Sequence, residues 1–492
     1  MTLADALNLA MEHHRTGRLP EAERVYRQIL SAAPDQPDAL HLLGLLAFQV
    51  GETQAAIGIL ERAVAVAPEA PSYHDTLGQV LSSIDRLEDA IAEYRIAIRL
   101  KPDFAAAHTN LGAVLLRNEQ FHQAIAELKR SIELNPRVAQ AHHNLASCLV
   151  QTRRIDEALL EHRQALELAP NDPTIHYNYA TTLLLTGQLA QGFAEYESRW
   201  DVPSLKMLKP PFTQPLWDGS ELGGGSTSLT AGRRILLHAE QGYGDTIQFI
   251  RYAPLVARRG GTVIVCCPGS LERLMRGVDG VAEVLPADVT PTDFDVHCPL
   301  LHLPAVFGTT LETIPREVPY VHPIPARVSH YKNSMCDDRR RKVGLIWSGR
   351  PDQPENRNRM VRLVDLLPLA EVQNVHFFSF QFGPAAEQAA NPPPGMHLTD
   401  WTADLHDFAE TASLMQNMDL IVTVDTGTAH LAAALGRPVF LLLSYAADWR
   451  WLLDRDDSPW YPTARLFRQS TRGEWREPIA RVAQAMREHL RI

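Results

Sequence analysis

The chain reads as an α solenoid followed by an α/β half of two facing, doubly wound domains, and three observations predict it. Pro34, Pro68, Pro102, Pro136 and Pro170 recur at a constant step of 34, as do Ala22, Ala56, Ala90, Ala124 and Ala158. Beyond residue 233, short apolar runs alternate with amphipathic stretches, and the alternation starts twice. The run IVTVDTGTAHLAAALGRPVFLLL, 421–443, is a buried strand, a polar turn, a helix stopped by Gly436 and Pro438, and a second strand.

Composition narrows the classes. At 492 residues the chain has room for about three domains. A formal charge of −11, with no basic stripe, argues against a nucleic-acid partner. The five cysteines, Cys148, Cys266, Cys267, Cys298 and Cys336, lack metal-ligand spacing and read as buried thiols in a reducing compartment. No basic, apolar and small-residue leader opens the sequence, and no run approaches the ~20 apolar residues of a membrane helix, so a cytoplasmic protein without membrane insertion is expected.

In the first half, the pairs Leu43-Gly44, Leu77-Gly78, Leu111-Gly112, Leu145-Ala146 and Tyr179-Ala180 mark the first helix of each unit and the alanine column marks the second. Small residues there let two antiparallel helices approach closely. Six units are expected over 1–202, the last modified, with Gly192 in place of the alanine and no closing proline. Asn110, Asn144 and Asn178 share one column, with Thr76 a unit earlier; they either line a concave groove that holds an extended peptide or support neighbouring turns. His74, His108, His142 and His176 form a further column, read as packing between helices because successive units hold them too far apart for a shared metal.

Residues 203–232, with Pro203, Pro210, Pro211 and Pro215 and the tract GGGS, read as a linker and surface loop. A first α/β domain is expected over 233–335, opening with ILLH, the glycine-bearing loop AEQGYGD and an amphipathic helix. The charged stretch DDRRRK, 337–342, reads as a hinge, and a second domain over 341–492 starts with VGLIW and the polar loop SGRPDQPENRNR. The last helical stretch, REPIARVAQAMREHL, either closes the second domain or crosses to the first. In such sheets ligands sit at the carboxyl ends of strands, and helix amino termini favour anions, so a phosphate is the first ligand to consider at DTGT. An aspartic-protease reading of Asp-Thr-Gly needs a second such carboxylate, from a second copy in the chain, where no other DTG exists, or from a dimer, and a β neighbourhood in place of AHLAAAL.

The 34-residue pattern of Leu-Gly, Ala and Pro resembles the tetratricopeptide repeat. GYGDTIQF (242–249), WSGR with its Arg/Asn-rich continuation (347–359) and DTGTAHLAAALGRP (425–438) resemble the heptosyltransferase family of GT-B glycosyltransferases over about residues 233–480. That resemblance implies two facing Rossmann-like domains, the amino-terminal one offering the acceptor and general base, the carboxyl-terminal one holding a nucleotide sugar, with no metal. It implies that Asp245 is the catalytic base, on an acceptor loop with Gln241, Gly242 and Gly244; the alternative is that Asp245 caps the helix from Thr246. Donor-binding candidates are Ser348, Gly349, Arg350, Arg357, Arg359, Gln381, Asp425, Thr426, Gly427, Thr428 and His430. The family often has a lysine in the 347–363 region, and an arginine must substitute here. Asp425 orients the donor or caps the turn, His430 reaches a phosphate or packs, and Gln381 meets nucleobase or ribose. The triplets Asp293/Asp295 and Asp454/Asp456 lie outside the phosphate-bearing loops, so no cofactor or metal is expected.

The layout, repeats ahead of this catalytic half, resembles O-GlcNAc transferase and bacterial protein glycosyltransferases. It implies sugar transfer from a nucleotide sugar to a protein acceptor, such as flagellin, recruited at Asn110, Asn144 and Asn178. Two rivals stay open: the same chemistry on lipopolysaccharide or another glycan, and an inactive binding scaffold. Homo-oligomerisation is left open.

Overall fold

A computed structural model describes residues 2–223, 232–349 and 359–491. It divides into two compact units, 1–179 and 180–492.

The first unit is built from helix pairs: α1 (Leu3–Arg15), α2 (Leu19–Ala32), α3 (Pro37–Gln49), α4 (Thr53–Val66), α5 (Pro71–Ser83), α6 (Leu87–Leu100), α7 (Ala105–Arg117), α8 (Phe121–Leu134), α9 (Ala139–Gln151) and α10 (Ile155–Leu168), with α11 (Pro173–Leu185) crossing the division. The five alanines of the recurring column are fully buried. The glycine column works by space: a Cβ on Gly44 would stand 2.6 Å from Leu60 Cγ, one on Gly78 2.8 Å from Tyr94 Cε1, and one on Gly112 would run into Leu128, all side chains of the paired second helices. Three of the four histidines of the repeat column are clamps rather than simple packing. His74, His108 and His142 Nδ1 lie 2.6 Å from Glu93, Glu127 and Glu161 on the second helices. Their Nε2 atoms meet the carbonyls of Pro68, Pro102 and Pro136, the prolines that close the preceding units. A ring with both nitrogens facing oxygen acceptors is best satisfied as the cation, and the carboxylate bond raises all three pKa values.

The second unit contains the end of α11 and α12 (Leu189–Glu195), so the sixth pair groups with the α/β half instead of ending an array at 202. The physical reason is aromatic: Phe193 of α12 packs edge-on against Phe249, Trp449 and Trp460. Then come β1 (Arg234–His238), α13 (Tyr243–Phe249), α14 (Ala253–Ala257), β2 (Thr262–Cys267), α15 (Glu272–Met275), β3 (Val281–Pro286), β4 (Val296–Pro299) and α16 (Leu303–Val306). Their sheet is parallel in the order β3-β2-β1-β4.

A second parallel sheet follows, from α17 (Pro325–Ser334), β5 (Arg341–Ile346), α18 (Leu367–Ala370), β6 (Val375–Ser379), β7 (Leu398–Asp400), α19 (Phe408–Met415), β8 (Leu420–Val424), α20 (Gly427–Ala434), β9 (Val439–Leu443), β10 (Ala464–Arg468) and α21 (Arg476–Leu490). Its order, β10-β9-β8-β5-β6-β7, runs outward from β5 to one edge, then returns to β5's other side, so the sheet is doubly wound with its switch point between β5 and β8. The strands are nearly all apolar because both faces are covered. Helix α21 packs on β9, β10 and α18 and closes this sheet.

Four expectations change here. The 203–232 stretch is not simply a surface loop: Trp217 and Leu222 are buried, and Trp217 N–H donates to His297 O beside β4 at 2.8 Å. Helix α17, ahead of the expected boundary at 335, lies on α19, where Arg327 donates to Glu410 at 2.7 Å and Ile324 N–H to Ser413 Oγ at 3.2 Å. The expected hinge at 337–342 is pinned, with Asp338 accepting from Arg340 at 2.9 Å and paired with His376, while Arg341 already begins β5. Cys148, Cys266, Cys267 and Cys298 are buried, but Cys336 is exposed. Among the described residues no helix is long and apolar enough to cross a membrane.

Candidate active site

The buried strand β8 delivers Asp425 and Thr426 to the carboxyl edge of its sheet, beside the switch point. Thr426 is the N-cap of α20: its backbone is extended and its hydroxyl accepts from Ala429 N–H at 3.3 Å, with Thr428 Oγ1 at 2.9 Å. The amides that open α20, Gly427 and Thr428, have no place in the intrahelical ladder, which makes this end a cradle for an anion. Facing it, the loop after β1 leads to Gly242, the N-cap of α13. Asp245 is therefore the third residue of that helix and not its cap, and its Oδ2 accepts back from Gly242 N–H at 2.9 Å. The two helix starts meet glycine to glycine. A Cβ on Gly244 would lie 2.9 Å from His430 Cδ2 and 3.4 Å from Gly427 Cα, and one on Gly427 would lie 3.3 Å from Gly244 N.

An alternating chain of charges crosses the cleft. Asp245 Oδ1 pairs with Arg450 Nη2. Arg450 Nη1 donates to Asp448 Oδ1 at 2.9 Å, Arg359 lies 3.7 Å from Asp448 Oδ2, and Arg359 reaches Asp425 Oδ2 at 3.2 Å. Burial pushes the Asp425 carboxyl upward, against the pull of Arg359. Asp448 is desolvated too, yet Arg450 and Arg359 together hold it below its ordinary value. Burial drives His430 down to about 3, so the ring is neutral; it stacks on Trp451 with centroids 5.3 Å apart and its Nδ1 meets Tyr461 Oη at 2.8 Å.

The structure thus brings Gly242, Gly244, Asp245, Arg359, Asp425, Thr426, Gly427, Thr428 and His430 to one place. Asp425 neither caps the turn nor faces outward; it anchors Arg359. Gln241 turns away, its amide toward Tyr196 Oη at 3.4 Å and Met207 Sδ. Glu240 beside it is fixed by a buried Arg199 at 2.9 and 3.1 Å, which ties the acceptor loop to the segment after α12. Ser348 and Gly349 leave β5 next to β8, with Ser348 buried and its hydroxyl donating to Gly349 O at 3.0 Å. Arg350 and Arg357 lie outside the described residues.

Gln381, expected at the nucleobase or ribose, is a correction. Its Oε1 accepts from Trp347 and Ser348 N–H at 3.0 and 2.8 Å, and its Nε2 donates to Ser348 and Phe382 carbonyls at 2.9 and 2.8 Å. Two acceptor sites and two donors are all spent. The residue is 2 % exposed and shapes the loop after β5 rather than offering itself to a ligand.

In the first unit two of the three asparagines of the column bridge neighbouring first helices. Asn110 Nδ2 donates to Asp75 at 2.9 Å, Asn178 Nδ2 faces His143 Nε2 at 3.2 Å, and Thr76 Oγ1 faces His41 at 2.8 Å. Asn144 is buried and accepts from Gln140 at 2.8 Å. The Asn110 and Asn178 bonds run between neighbouring first helices, while the Asn144 bond stays within α9.

Asp448 and Arg450 are the residues that sequence reasoning missed. They belong to ADWRWLL, 447–453; the signal was two opposite charges inside an otherwise apolar run following a buried strand.

Comparison with known proteins agrees with this architecture. Tetratricopeptide-repeat models match residues 14–80, 78–119 and 113–173, and the glycosyltransferase family 9 (heptosyltransferase) model matches residues 385–472. The latter span holds Asp425 to His430 and Asp448 to Arg450, while Asp245 lies ahead of it. The chain is 27% identical over 327 residues to Protein FlbA of Caulobacter vibrioides, covering 61% of this chain and 52% of that protein, so it spans about half the length of the relative. Among solved structures it resembles MamA (25% identity, 33% of this chain, 94% of that one, TM-score 0.31). It also resembles TTC0263, a thermophilic TPR protein of Thermus thermophilus (26% identity, 37% of this chain, 100% of that one, TM-score 0.32).

Proposed function

We propose that this chain, with tetratricopeptide repeats ahead of a glycosyltransferase family 9 segment, moves a sugar from a nucleotide sugar to a protein side-chain hydroxyl brought by the repeats. The observation that carries the reading is the meeting of a carboxylate, Asp245, with the open amide end of α20 across one cleft. The donor's diphosphate lies at the amides of Gly427 and Thr428 with the Thr426 and Thr428 hydroxyls and Ser348–Gly349 beside it. Asp245 takes the proton of the acceptor hydroxyl as its oxygen bonds the anomeric carbon. The bond from that carbon to the diphosphate oxygen breaks, and its electron pair leaves with the nucleoside diphosphate. Attack opposite the leaving group inverts the anomeric configuration. Arg359 supplies positive charge to the departing diphosphate, in the role for which the heptosyltransferase resemblance implies a lysine.

Both Asp245 oxygens are engaged, but a carboxylate oxygen has two lone pairs, and one hydrogen bond to each leaves room for the proton. The side chain is 17% exposed, so an acceptor can reach it.

The test is a melting-temperature screen of the full chain against UDP-, ADP-, GDP- and CMP-sugars, then incorporation of the labelled sugar of the stabilising donor in a cell extract. A shift with one nucleotide class and label on protein supports the reading. Label in the lipid fraction alone moves the acceptor to a glycolipid, and no shift with any donor leaves a binding scaffold.

A further inference from the structure

We propose that Arg450 is the positioning residue of the base: it aims Asp245 from the opposite side of the cleft, so that the proton acceptor is set only when the donor-side segment is in place. This rests on the glycosyltransferase reading.

Arg450 comes from the segment after β9, 205 residues beyond Asp245. Its guanidinium is held on all sides. The plane lies 4.2 Å from the Trp449 ring centroid, Nη1 and the backbone N–H donate to Asp448 Oδ1 at 2.9 and 3.0 Å, and Nε donates to Gln248 Oε1 at 2.9 Å. Nη2, the one remaining arm, meets Asp245 Oδ1. Gln248 stands three residues after Asp245 on the same face of α13, so one guanidinium grips two consecutive positions of that face and fixes the helix rotation as well as the carboxylate. The planar fork of arginine makes such a two-point grip, and a lysine ammonium cannot reproduce all of it.

The other end of the arrangement lies in the donor loop. Asp448 is shared with Arg359, and Arg359 also reaches Asp425, the residue before the α20 cap. The base and the phosphate cradle are therefore joined through a continuous line of charge pairs. A general base misplaced by about 1 Å costs on the order of 100-fold in rate. A residue that merely glued the two sheets together would, when removed, lower stability and donor affinity together. A positioning residue leaves donor affinity alone and lowers the chemical step.

The experiment measures transfer of labelled sugar by the full-length chain in the cell extract, from whichever of the UDP-, ADP-, GDP- and CMP-sugars it turns over, with Arg450→Met, Arg450→Lys and Gln248→Leu. The expected result is a kcat lower by about 100-fold in Arg450→Met with donor KM unchanged. Arg450→Lys regains part of kcat, and Gln248→Leu, which spares the ion pair, falls between it and the parent. Should Arg450→Met not fold, the Gln248→Leu result decides alone: lowered kcat at parental donor KM supports the role, and parental kcat overturns it. Equal kcat in parent and Arg450→Met, or a rise in donor KM that accounts for the whole loss, also overturns it. Absence of turnover by the parent protein overturns the glycosyltransferase reading and, with it, this role.

Discussion

Replacing Gly244 by alanine separates two forces of opposite sign. Gly244 sits at the second position of α13, and alanine is the better helix former by about 1 kcal/mol at most, less at a helix end. Against this stands space. The new methyl would lie 2.9 Å from His430 Cδ2 and 3.4 Å from Gly427 Cα. His430 cannot yield readily: it is 4 % exposed, stacked on Trp451 and bonded to Tyr461. Overpacking of a filled site costs about 1–3 kcal/mol. The strain exceeds the propensity gain, so Gly244→Ala is destabilising by about 1–2 kcal/mol, net. The larger consequence is functional, because relief comes by parting the starts of α13 and α20 and moving Asp245 from the phosphate cradle. Urea unfolding and donor turnover measured on the same preparation report the two effects. A variant as stable as the parent or more so, with parental turnover, would refute the claim that the two helix starts work in contact.

Three further outcomes follow from the same structure. His108→Phe removes the Glu127 and Pro102 bonds of a histidine whose pKa is raised in the folded chain. Their stabilisation is complete below the ordinary histidine value of about 6.5 and disappears as pH rises through the folded value, so the loss of melting temperature should be larger at pH 5.5 than at pH 9; an equal loss at both would contradict the clamp. Gln381→Leu strands the Trp347 and Ser348 amides and should cost about 2–5 kcal/mol in urea unfolding, whereas a nucleobase contact would instead weaken donor binding without loss of stability. Arg450→Met should lower kcat at unchanged donor KM, as argued above.

The repeats were legible because each unit solves the same packing problem with the same small residues, and Gly44, Gly78 and Gly112 lie against Leu60, Tyr94 and Leu128. The two doubly wound sheets were legible for a related reason: strands covered on both faces are short apolar runs, and β5 and β8 announce themselves. Single-residue roles were harder to read. Gln381 at a strand end looks like a ligand contact until its three hydrogen bonds to the loop after β5 and a fourth to Phe382 O are seen. Asp245 reads from its neighbours as a base with a helix cap as the alternative, and the capping-box geometry shows that holding Gly242 N–H leaves Oδ1 for another partner. That partner was invisible, since nothing local links GYGD to DWRW across 205 residues. The histidine column was visible as a period, but its glutamates sit 19 residues further on, on another helix.

The most direct measurement compares the parent chain with Asp245→Asn, an isosteric change that keeps an oxygen for Arg450 and removes the proton acceptor. Donor-induced melting shift and sugar transfer are read on both proteins. The expected result is an undiminished donor shift with transfer reduced by about 100-fold or more. Transfer at the parental rate by Asp245→Asn would contradict it.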